Sequence, residues 1–283
     1  MGTGPVVVGV DGSEGSTTAL SWGIETARHI GSPVSAVFGY SPWAGMLFAI
    51  PPFDADATRE LFRNRFREDW CAPLAEAGLE HARRFVSNDP ARALLQVADE
   101  EDAVLITLGA HGHSGWSPHV LGSVTAKVLH HAHCPVAVIP HPPTEEPPSG
   151  RIVVGIDGSP GSRKALQWAA AHARALGKDV RAVCVTPHEL WHEQPAFPAL
   201  EGDGTADLES GLGRLAREVE VETGATVETV VVVGDPAETL LALSAEWDLL
   251  VLGSRGHSSV GEVVFGSVGR VCATRATRPV LIV

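Results

Sequence analysis

Short apolar runs alternate along the chain with longer segments in which apolar residues recur at helical spacing. Residues 6–10 and 34–40 are predominantly apolar, as is typical of strands buried on both faces of a parallel sheet. Between them, Leu20, Ile24 and Ala27 recur on one face of a predicted helix. The pattern therefore predicts that the chain opens as strand, helix, strand.

The same alternation continues along the chain. In the first half it predicts helices over residues 57–82, 90–97 and 124–131, and strands over residues 83–87, 104–108 and 135–139. In the second half it predicts strands over residues 152–156, 179–186, 227–233, 249–252 and 279–283, with helices between them. Because crossovers between parallel strands are right-handed, we expect an α/β fold with two tandem doubly wound, mostly parallel five-stranded sheets flanked by helices.

The two halves are copies of one unit. Residues 6–23 and 152–169 are identical at 11 of 18 positions, at an offset of 146 (152 − 6 = 146). A repeat of this length predicts two domains, and 283 residues are enough for two cores. We expect a first domain over residues 1–140, a proline-rich linker over residues 141–150 and a second domain over residues 151–283.

A glycine-rich pattern follows the fourth strand of each half. It consists of Gly109, Gly112 and Gly122-Ser123-Val124 in the first half and of Gly253, Gly256 and Gly266-Ser267-Val268 in the second. The two copies lie at one offset (253 − 109 = 144; 266 − 122 = 144). Glycine lets the backbone lie against a ligand, and the helix that follows presents N–H groups and a positive dipole end to an anion. The pattern predicts a phosphate cradle in each half.

Helix capping is the ordinary explanation for a Gly-Ser pair before a helix. Two strand, glycine, loop and helix units at identical spacing favour a ligand site over capping alone. The cradles are not Walker loops, because the G-x4-G-K-[ST] pattern does not occur and neither cradle contains a lysine.

An aspartate follows the first strand of each half. Asp11 and Asp157 each begin an Asp-Gly-Ser turn at the carboxyl end of the strand, where open α/β sheets bind ligands. A turn former or helix cap explains an isolated aspartate equally well, and both roles stay open at this point.

Charge and cysteine content narrow the class of protein. With 21 basic against 34 acidic residues, the net charge of −13 argues against a nucleic-acid partner, because phosphate backbones are bound by clusters of Lys and Arg. The four cysteines lack C-x-x-C spacing and favour reduced thiols over a disulfide framework or zinc site.

Neither a signal-peptide pattern nor an apolar run of about 18 residues occurs, so we expect a cytoplasmic protein without membrane contact.

These residues resemble a known family. Val-Gly-Val-Asp-Gly-Ser at residues 8–13, Val-Gly-Ile-Asp-Gly-Ser at residues 154–159 and the two G-x2-G-x9-G-S loops are similar to the nucleotide-binding universal stress proteins. The resemblance covers both halves and looks like the tandem-domain type of actinobacteria and mycobacteria. It implies a Rossmann-like fold, related to the adenine-nucleotide α-hydrolases, and ATP as the ligand of each half.

The resemblance also implies which residues contact the nucleotide. The aspartates would lie near ribose and adenine, a nearby glycine beneath the nucleotide, and the cradles around ribose and phosphates. The implied set is Gly9, Asp11, Gly109, Gly112, His113, Ser114, Gly122, Ser123 and Val124 in the first half and Gly155, Asp157, Val185, Gly253, Arg255, Gly256, His257, Ser258, Gly266, Ser267 and Val268 in the second.

The first half departs from the family pattern. The family has a branched apolar residue against adenine at the end of the second strand, and this position is Val185 in the second half but Gly39 in the first. The first cradle carries Trp116, and it has His111 where the second has Arg255. We therefore expect the second site to bind ATP more tightly.

Two classes of function compete. The leading interpretation is a regulator or sensor in stress response or growth control, and the alternative is an enzyme, either a slow ATPase or a nucleotide transferase. Catalysis would need a base, a metal-ligand set or an arginine–lysine clamp at the phosphates, and none stands out. The first cradle contains no carboxylate and the second only Glu262, so Mg²⁺ would be held mostly by phosphates and water.

Two further expectations concern metals and self-association. His130, His131, His133 and Cys134 suggest a metal site, but their counterparts at offset 144 are threonines and arginines, so polar or cationic groups at a helix end explain both, and no metal is expected. The last strands of the halves are short and apolar. Since apolar edges pair with other strands, we expect a homodimer through these terminal strands.

Overall fold

The computed structural model describes residues 4–41, 54–113, 120–144, 149–186, 205–254 and 266–283. The chain divides into two compact units, Met1–Pro142 and Pro143–Val283. No helix in the described ranges combines the length and the apolar character needed to cross a bilayer.

The first unit is a parallel sheet of five strands with helices between them. Its strands are β1 (Val6–Gly9), β2 (Val34–Gly39), β3 (His81–Val86), β4 (Leu105–Gly109) and β5 (Val136–Ile139). Its helices are α1 (Glu14–Ile30), α2 (Ala55–Asn64), α3 (Ala72–Glu76), α4 (Pro90–Glu100) and α5 (Ser123–His131), with a π-helical turn, Arg65–Trp70, between α2 and α3. The strands pair in the order β3-β2-β1-β4-β5.

The second unit repeats this plan. Its strands are β6 (Arg151–Ile156), β7 (Asp179–Thr186), β8 (Val227–Val233), β9 (Leu249–Leu252) and β10 (Val280–Ile282). Its helices are α6 (Pro160–Leu176), α7 (Thr205–Thr223), α8 (Pro236–Ala242) and α9 (Ser267–Arg275), with a 3₁₀ turn, Leu243–Glu246, after α8. The parallel order β10-β9-β6-β7-β8 confirms the predicted fold class.

Each sheet has one point at which the direction of winding reverses. The chain builds outward from β1 through β2 to β3 and then returns to the other side of β1 as β4, and the second unit does the same around β6 and β9. In open α/β sheets the crevice outside the carboxyl ends of the strands at such a switch point binds ligands. We therefore expect a ligand site between the loops after β1 and β4 in the first unit, and between the loops after β6 and β9 in the second.

The turn before the fourth strand is two residues longer in the first unit than in the second (146 − 144 = 2). Matching residues lie at offset 146 in β1 and β6, in β2 and β7 and in β3 and β8, whereas β4 and β9 are at offset 144. The change falls after α4, where residues 101–104 correspond to Trp247-Asp248 in the second unit. The glycine cradles therefore keep a common offset of 144 because they follow this turn.

One predicted helix was wrong at its end. The pattern predicts a helix over residues 57–82, but helical structure stops at Glu76 and β3 begins at His81, before the predicted strand start at residue 83. Gly78, with a φ of 67°, turns the chain between them. Residues 81 and 82 pair with β2 as extended backbone, and this pairing outweighs their helical composition.

A buried carboxylate joins the beginning of the second unit to its core. Asp248, in the turn before β9, accepts hydrogen bonds from the backbone N–H groups of Ser149 and Gly150 at 2.6 and 2.9 Å and forms ion pairs with Lys178 and Arg278. Its side chain is 9% exposed. Burial raises the pKa of Asp248, but the hydrogen bond from Lys178 and those from Ser149 and Gly150 together outweigh it and lower the pKa.

We expect Asp248→Asn to destabilise the second unit by about 3 kcal/mol, because the neutral amide removes an anion that is largely buried between Lys178 and Arg278. Urea denaturation followed by circular dichroism measures this change. Asp179→Asn, an exposed carboxylate at the start of β7, is the control and should shift stability by less than about 0.5 kcal/mol.

The pH dependence of stability gives a second comparison of the native protein with Asp248→Asn. Because the pKa of Asp248 is lowered on folding, its stabilisation is present above the unfolded pKa of about 4 and is lost as the pH falls through the folded value. The difference between the native protein and Asp248→Asn should therefore shrink below about pH 4. Equal stability at pH 7 would contradict the structural role of this carboxylate.

Candidate functional site

The loop after β1 forms one wall of the crevice in the first unit. The Asp11 Oδ1 atom accepts hydrogen bonds from the backbone N–H and the hydroxyl of Ser13, at 2.9 and 2.6 Å. Ser13 in turn caps α1, because its Oγ accepts from the N–H of Ser16 at 3.2 Å. One carboxylate oxygen of Asp11 therefore shapes the turn, as the structural alternative for this residue predicts.

The other oxygen of Asp11 faces the loop after β4. A Cβ atom added at Gly112 would lie 2.5 Å from Asp11 Oδ2, so a side chain at this position would displace the Asp11 carboxylate. His113 lies on the same oxygen, with its Nδ1 atom at 3.6 Å. The structure thus brings together Asp11, Gly112 and His113, which the sequence places a hundred residues apart.

The start of α5 forms the floor of the first cradle. Gly122 is the N-cap residue, with φ −56° and ψ 145°, and no side chain in the described part of the chain caps this helix. The Gly122 N–H donates to Ala110 O at 2.9 Å, and the Thr125 hydroxyl donates to Gly109 O at 2.9 Å. Ser123, the first helical residue, is exposed. The start of α5 is therefore hydrogen-bonded to the carboxyl end of β4, next to the loop that carries Gly112.

The second unit has the same arrangement. Asp157 Oδ1 accepts from the Ser159 N–H at 2.9 Å, and Ser159 caps α6. Gly266, with φ −59° and ψ 147°, begins α9 and donates its N–H to Ser254 O at 3.2 Å. As in the first unit, the described residues supply no side-chain cap, and the first helical residue, Ser267, is exposed.

Several glycines of the implied set are explained by packing within the protein. A Cβ at Gly9 would lie 2.4 Å from Leu108 Cδ2, and a Cβ at Gly155 would lie 2.5 Å from Leu252 Cδ2. A Cβ at Gly253 would lie 2.5 Å from the backbone carbon of Gly161. Packing within the protein thus disfavours a side chain at these positions, most strongly at Gly253, where the contact is with backbone.

The end of the second strand differs between the units. A Cβ at Gly39 would lie 2.4 Å from the Cα atom of Pro90, so the start of α4 already fills the place that a side chain would take. Its counterpart Val185 is half-buried near the end of β7. The absent side chain in the first unit is therefore a consequence of how closely α4 packs against β2.

Some predicted site residues lie outside the described part of the chain. They are Ser114, Arg255, Gly256, His257 and Ser258, together with Trp116 and Glu262. Val124 and Val268, in contrast, are placed in the first turns of α5 and α9, where both are half-buried.

The cysteines are unpaired and buried or half-buried. All four are free thiols. Burial raises the pKa of Cys71 and Cys272 to about 12 and that of Cys134 and Cys184 to about 11, so they are protonated at neutral pH. Within the described ranges no group of three or more His, Cys, Asp or Glu side chains is arranged to hold a metal ion.

One contact at the crevice was not predicted from sequence. The indole of Trp70 lies on Gly12, because a Cβ atom at Gly12 would lie 2.3 Å from Trp70 Cε2 and 2.6 Å from Trp70 Nε1. Phe62, Phe66 and Trp70 are spaced four residues apart, which places them on one face of a helix. This spacing could have predicted an aromatic stripe. The spacing does not indicate that the stripe ends on the loop after β1.

Comparison with known proteins decides the family. The profile of the universal stress protein family matches residues 3–140 and, a second time, residues 148–283. The chain belongs to the universal stress protein family. The two matches identify it as a tandem-domain member, as the sequence resemblance predicts.

Two mycobacterial universal stress proteins match this chain over nearly its whole length. Universal stress protein Rv2623 of Mycobacterium tuberculosis (strain ATCC 25618 / H37Rv) is 29% identical over 297 residues, covering 98% of this chain and 95% of the relative. Universal stress protein Rv2005c of the same strain is 30% identical over 287 residues, covering 98% and 96%. The solved structure of a universal stress protein from Archaeoglobus fulgidus DSM 4304 has a TM-score of 0.74 at 22% identity and covers 100% of this chain and 98% of its own, which shows the fold.

Proposed function

We propose that this universal stress protein binds ATP at the crevice outside β6 and β9, and more weakly at that outside β1 and β4. We further propose that the bound nucleotide makes it a regulator or sensor in stress response or growth control. The observation that carries the proposal is the pair of helices α5 and α9. Each begins with a glycine, has no side-chain cap among the described residues and is hydrogen-bonded to the end of a central strand beside an aspartate loop.

The chemistry of the crevice fits a nucleotide. The N–H groups in the first turn of a helix, together with the positive end of its dipole, stabilise a phosphate. Ser123 and Ser267 are exposed at these helix starts and could donate their hydroxyls to phosphate oxygens. Asp11 Oδ2 faces the β4 loop and can accept a hydrogen bond from a ribose hydroxyl, while Oδ1 keeps the turn. Mg²⁺ would be held mainly by the phosphates.

The second unit offers the better wall for the base. Val185 presents a branched side chain, and fully burying such a side chain is worth roughly 1.5–3 kcal/mol, of which a base would recover a part. In the first unit the equivalent place is taken by the backbone of Pro90. We expect the two affinities to differ by about 1 kcal/mol, or roughly fivefold.

We expect Gly122→Glu combined with Gly266→Glu to remove bound ATP. A carboxylate at the N-cap of each helix would occupy the phosphate position with a like charge and weaken binding by about 2 kcal/mol or more, at least roughly 30-fold. The measurement is the amount of nucleotide released from purified, denatured protein, followed by calorimetric titration of protein freed of nucleotide. Unchanged nucleotide content in the folded double variant would refute the proposed site.

The matched control is Gly122→Ala combined with Gly266→Ala. A Cβ at Gly122 would lie 3.3 Å from Ala110 O, and one at Gly266 would lie 3.9 Å from Ser254 O, so a methyl group needs at most a small shift. This pair tests the loss of glycine without adding charge. It should keep ATP binding within about threefold, because a methyl group carries no charge and leaves the N–H groups of the first turn free to bind phosphate.

The alternative function is a slow ATPase or a nucleotide transferase. A sensor should release ATP on denaturation and show no steady production of phosphate, whereas an ATPase should release ADP and turn over added ATP. We expect intact ATP, because no base and no arginine–lysine clamp stands out at either cradle in the sequence. Phosphate release that continues over many turnovers, and that Gly122→Glu combined with Gly266→Glu abolishes, would establish the enzyme instead.

We also propose that the protein is a cytoplasmic homodimer that assembles through its terminal strands, without nucleic acid as a partner. β5 and β10 are short, and every described residue of both is buried and apolar, which suits strands that pair beyond their own unit. Sedimentation at micromolar concentration should show a species of about 60 kDa, twice the 29.7 kDa of one chain. A single species at the mass of one chain would refute the dimer.

A further inference from the structure

We propose that Trp70 closes the nucleobase position of the first unit, so that this crevice binds an adenine nucleotide only when the indole moves away. The inference rests on the proposed ATP site and adds the residue that distinguishes its two copies. The second unit, in which no such residue occurs at the equivalent position, would then carry the principal binding site of the chain.

The position of the indole is the first observation. Gly12, with a φ of 83°, lies between the two residues that shape the loop after β1, namely Asp11 and Ser13. Trp70 covers Gly12 so closely that a single added Cβ would lie 2.3 Å from its ring. A nucleotide bound at this switch point lies in the crevice of which this loop is one wall. The indole, a flat bicyclic ring of nearly the size of a purine, takes up that surface.

The second observation is that the indole is held in place. The indole belongs to an aromatic cluster, which consists of Phe38, Tyr40, Phe62, Phe66, Trp70 and Phe85. Phe38 meets Trp70 edge to face at 5.3 Å, and Phe62 lies at 6.1 Å. Phe66, one turn before Trp70, is fully buried. A residue supported from behind in this way has a defined position rather than one of many surface rotamers.

The third observation is the backbone that carries Trp70. The ring stands at the end of the π-helical turn Arg65–Trp70, between α2 and α3. A π turn widens the helix by one residue and changes the direction in which the following side chains project, and such turns are frequent at functional sites. The equivalent helix of the second unit, α7, is a regular α-helix from Thr205 to Thr223.

The fourth observation is that none of the six aromatic residues has an aromatic counterpart at the equivalent position of the second unit. β2 and β3 match β7 and β8 at a constant offset of 146, and the chain between them has the same length in both units. At this offset the six aromatic residues correspond to Cys184, Thr186, Leu208, Leu212, Ala216 and Val231. Leu212 is fully buried, like its counterpart Phe66, which supports the equivalence of the two helices. Trp70 is therefore replaced by Ala216, which cannot reach across to the loop after β6.

A closing role and a stacking role for Trp70 make opposite predictions. If the indole occupies the base position, ATP affinity of the first unit rises as residue 70 becomes smaller. If the indole instead stacks on the bound base, affinity falls in the same series, because base–aromatic stacking contributes favourably to binding. The geometry points to closure, because the ring face already lies in van der Waals contact with Gly12 and leaves no layer between them.

The experiment isolates the first unit within the full chain. Gly266→Glu disables the second cradle, and into this background we place Trp70→Phe, Trp70→Leu and Trp70→Ala, each titrated with ATP by calorimetry after removal of bound nucleotide. We expect ATP affinity to increase in that order and to be at least about tenfold higher for Trp70→Ala than for the background variant. The increase is expected because ATP no longer has to break the aromatic contacts of the indole before it binds. Near-ultraviolet circular dichroism checks folding, and Trp70→Phe and Trp70→Leu keep the test decisive if Trp70→Ala does not fold.

Phe85→Val in the same background is the matched control. It replaces an aromatic member of the cluster by the residue found in the second unit but leaves the indole on Gly12, so the affinity of the first unit should change by less than about threefold. Unchanged or falling affinity across the Trp70 series would overturn the closing role.

The two proposals fail in different ways. If the native chain binds ATP and Gly266→Glu abolishes it, but the Trp70 series recovers none, the closing role is wrong and the proposed ATP site of the second unit stands alone. If neither the native chain nor any Trp70 variant binds ATP, the nucleotide site itself is wrong, and the role of Trp70 falls with it.

Discussion

Close contact between backbones at the switch point is the constraint on which each unit depends. A Cβ atom at Gly109 would lie 3.0 Å from the carbonyl carbon of Gly15, and one at Gly253 would lie 2.5 Å from that of Gly161. The first turn of the helix that follows β1 or β6 therefore rests directly on the end of the neighbouring strand. Because side chains are absent from this contact, the two loops can approach and form one crevice. The aspartate turn and the glycine-capped helix are brought together by that approach.

The same constraint explains why the repeat is most similar where the loops meet and diverges elsewhere. Residues in the turn after the first strand are shared between the units, as are the cradle glycines. The helix that covers the outer part of the sheet faces no such restriction. It carries large aromatic residues in the first unit and aliphatic or small ones in the second, and it changes from a π-containing helix to a regular one. The two units therefore share the loops that form the crevice but differ in the side chains of the helix that covers the outer part of the sheet.

The sequence predicted the fold well because buried parallel strands have a strong local signal. β7, β8 and β9 were predicted with the bounds that the structure shows, since valine, leucine and other apolar residues predominate in each and Gly or Pro follows each strand. The end of the helix before β3 was wrong, because pairing of His81 and Ala82 with β2 is a long-range interaction that composition does not record. The contact of Trp70 with Gly12 could not be predicted for the same reason. Spacing shows which residues share a helix face, but the facing partner depends on where the helix packs.

The glycine positions of the site show a related limit. Doubling of the pattern identified them, but it did not separate glycines that make room for a ligand from those that make room for the protein itself. Gly9 and Gly155 face leucine side chains, and Gly39 faces the backbone of Pro90, so packing accounts for them. Gly122 and Gly266, in contrast, have space for a Cβ and ordinary backbone angles, and their lack of a side chain leaves the helix start uncovered.

The Asp248 carboxylate has a practical consequence for how the two units can be separated. Periodicity alone would begin the second unit at residue 151, where β6 starts. Ser149 and Gly150 nevertheless donate their backbone N–H groups to this carboxylate, so they belong to the folded second unit although they lie in the proline-rich stretch. A fragment that begins at residue 151 would leave Asp248 without two of its donors. An independently expressed second half should therefore begin upstream of Ser149, and the same reasoning applies to where a fusion partner or a cleavage site is inserted.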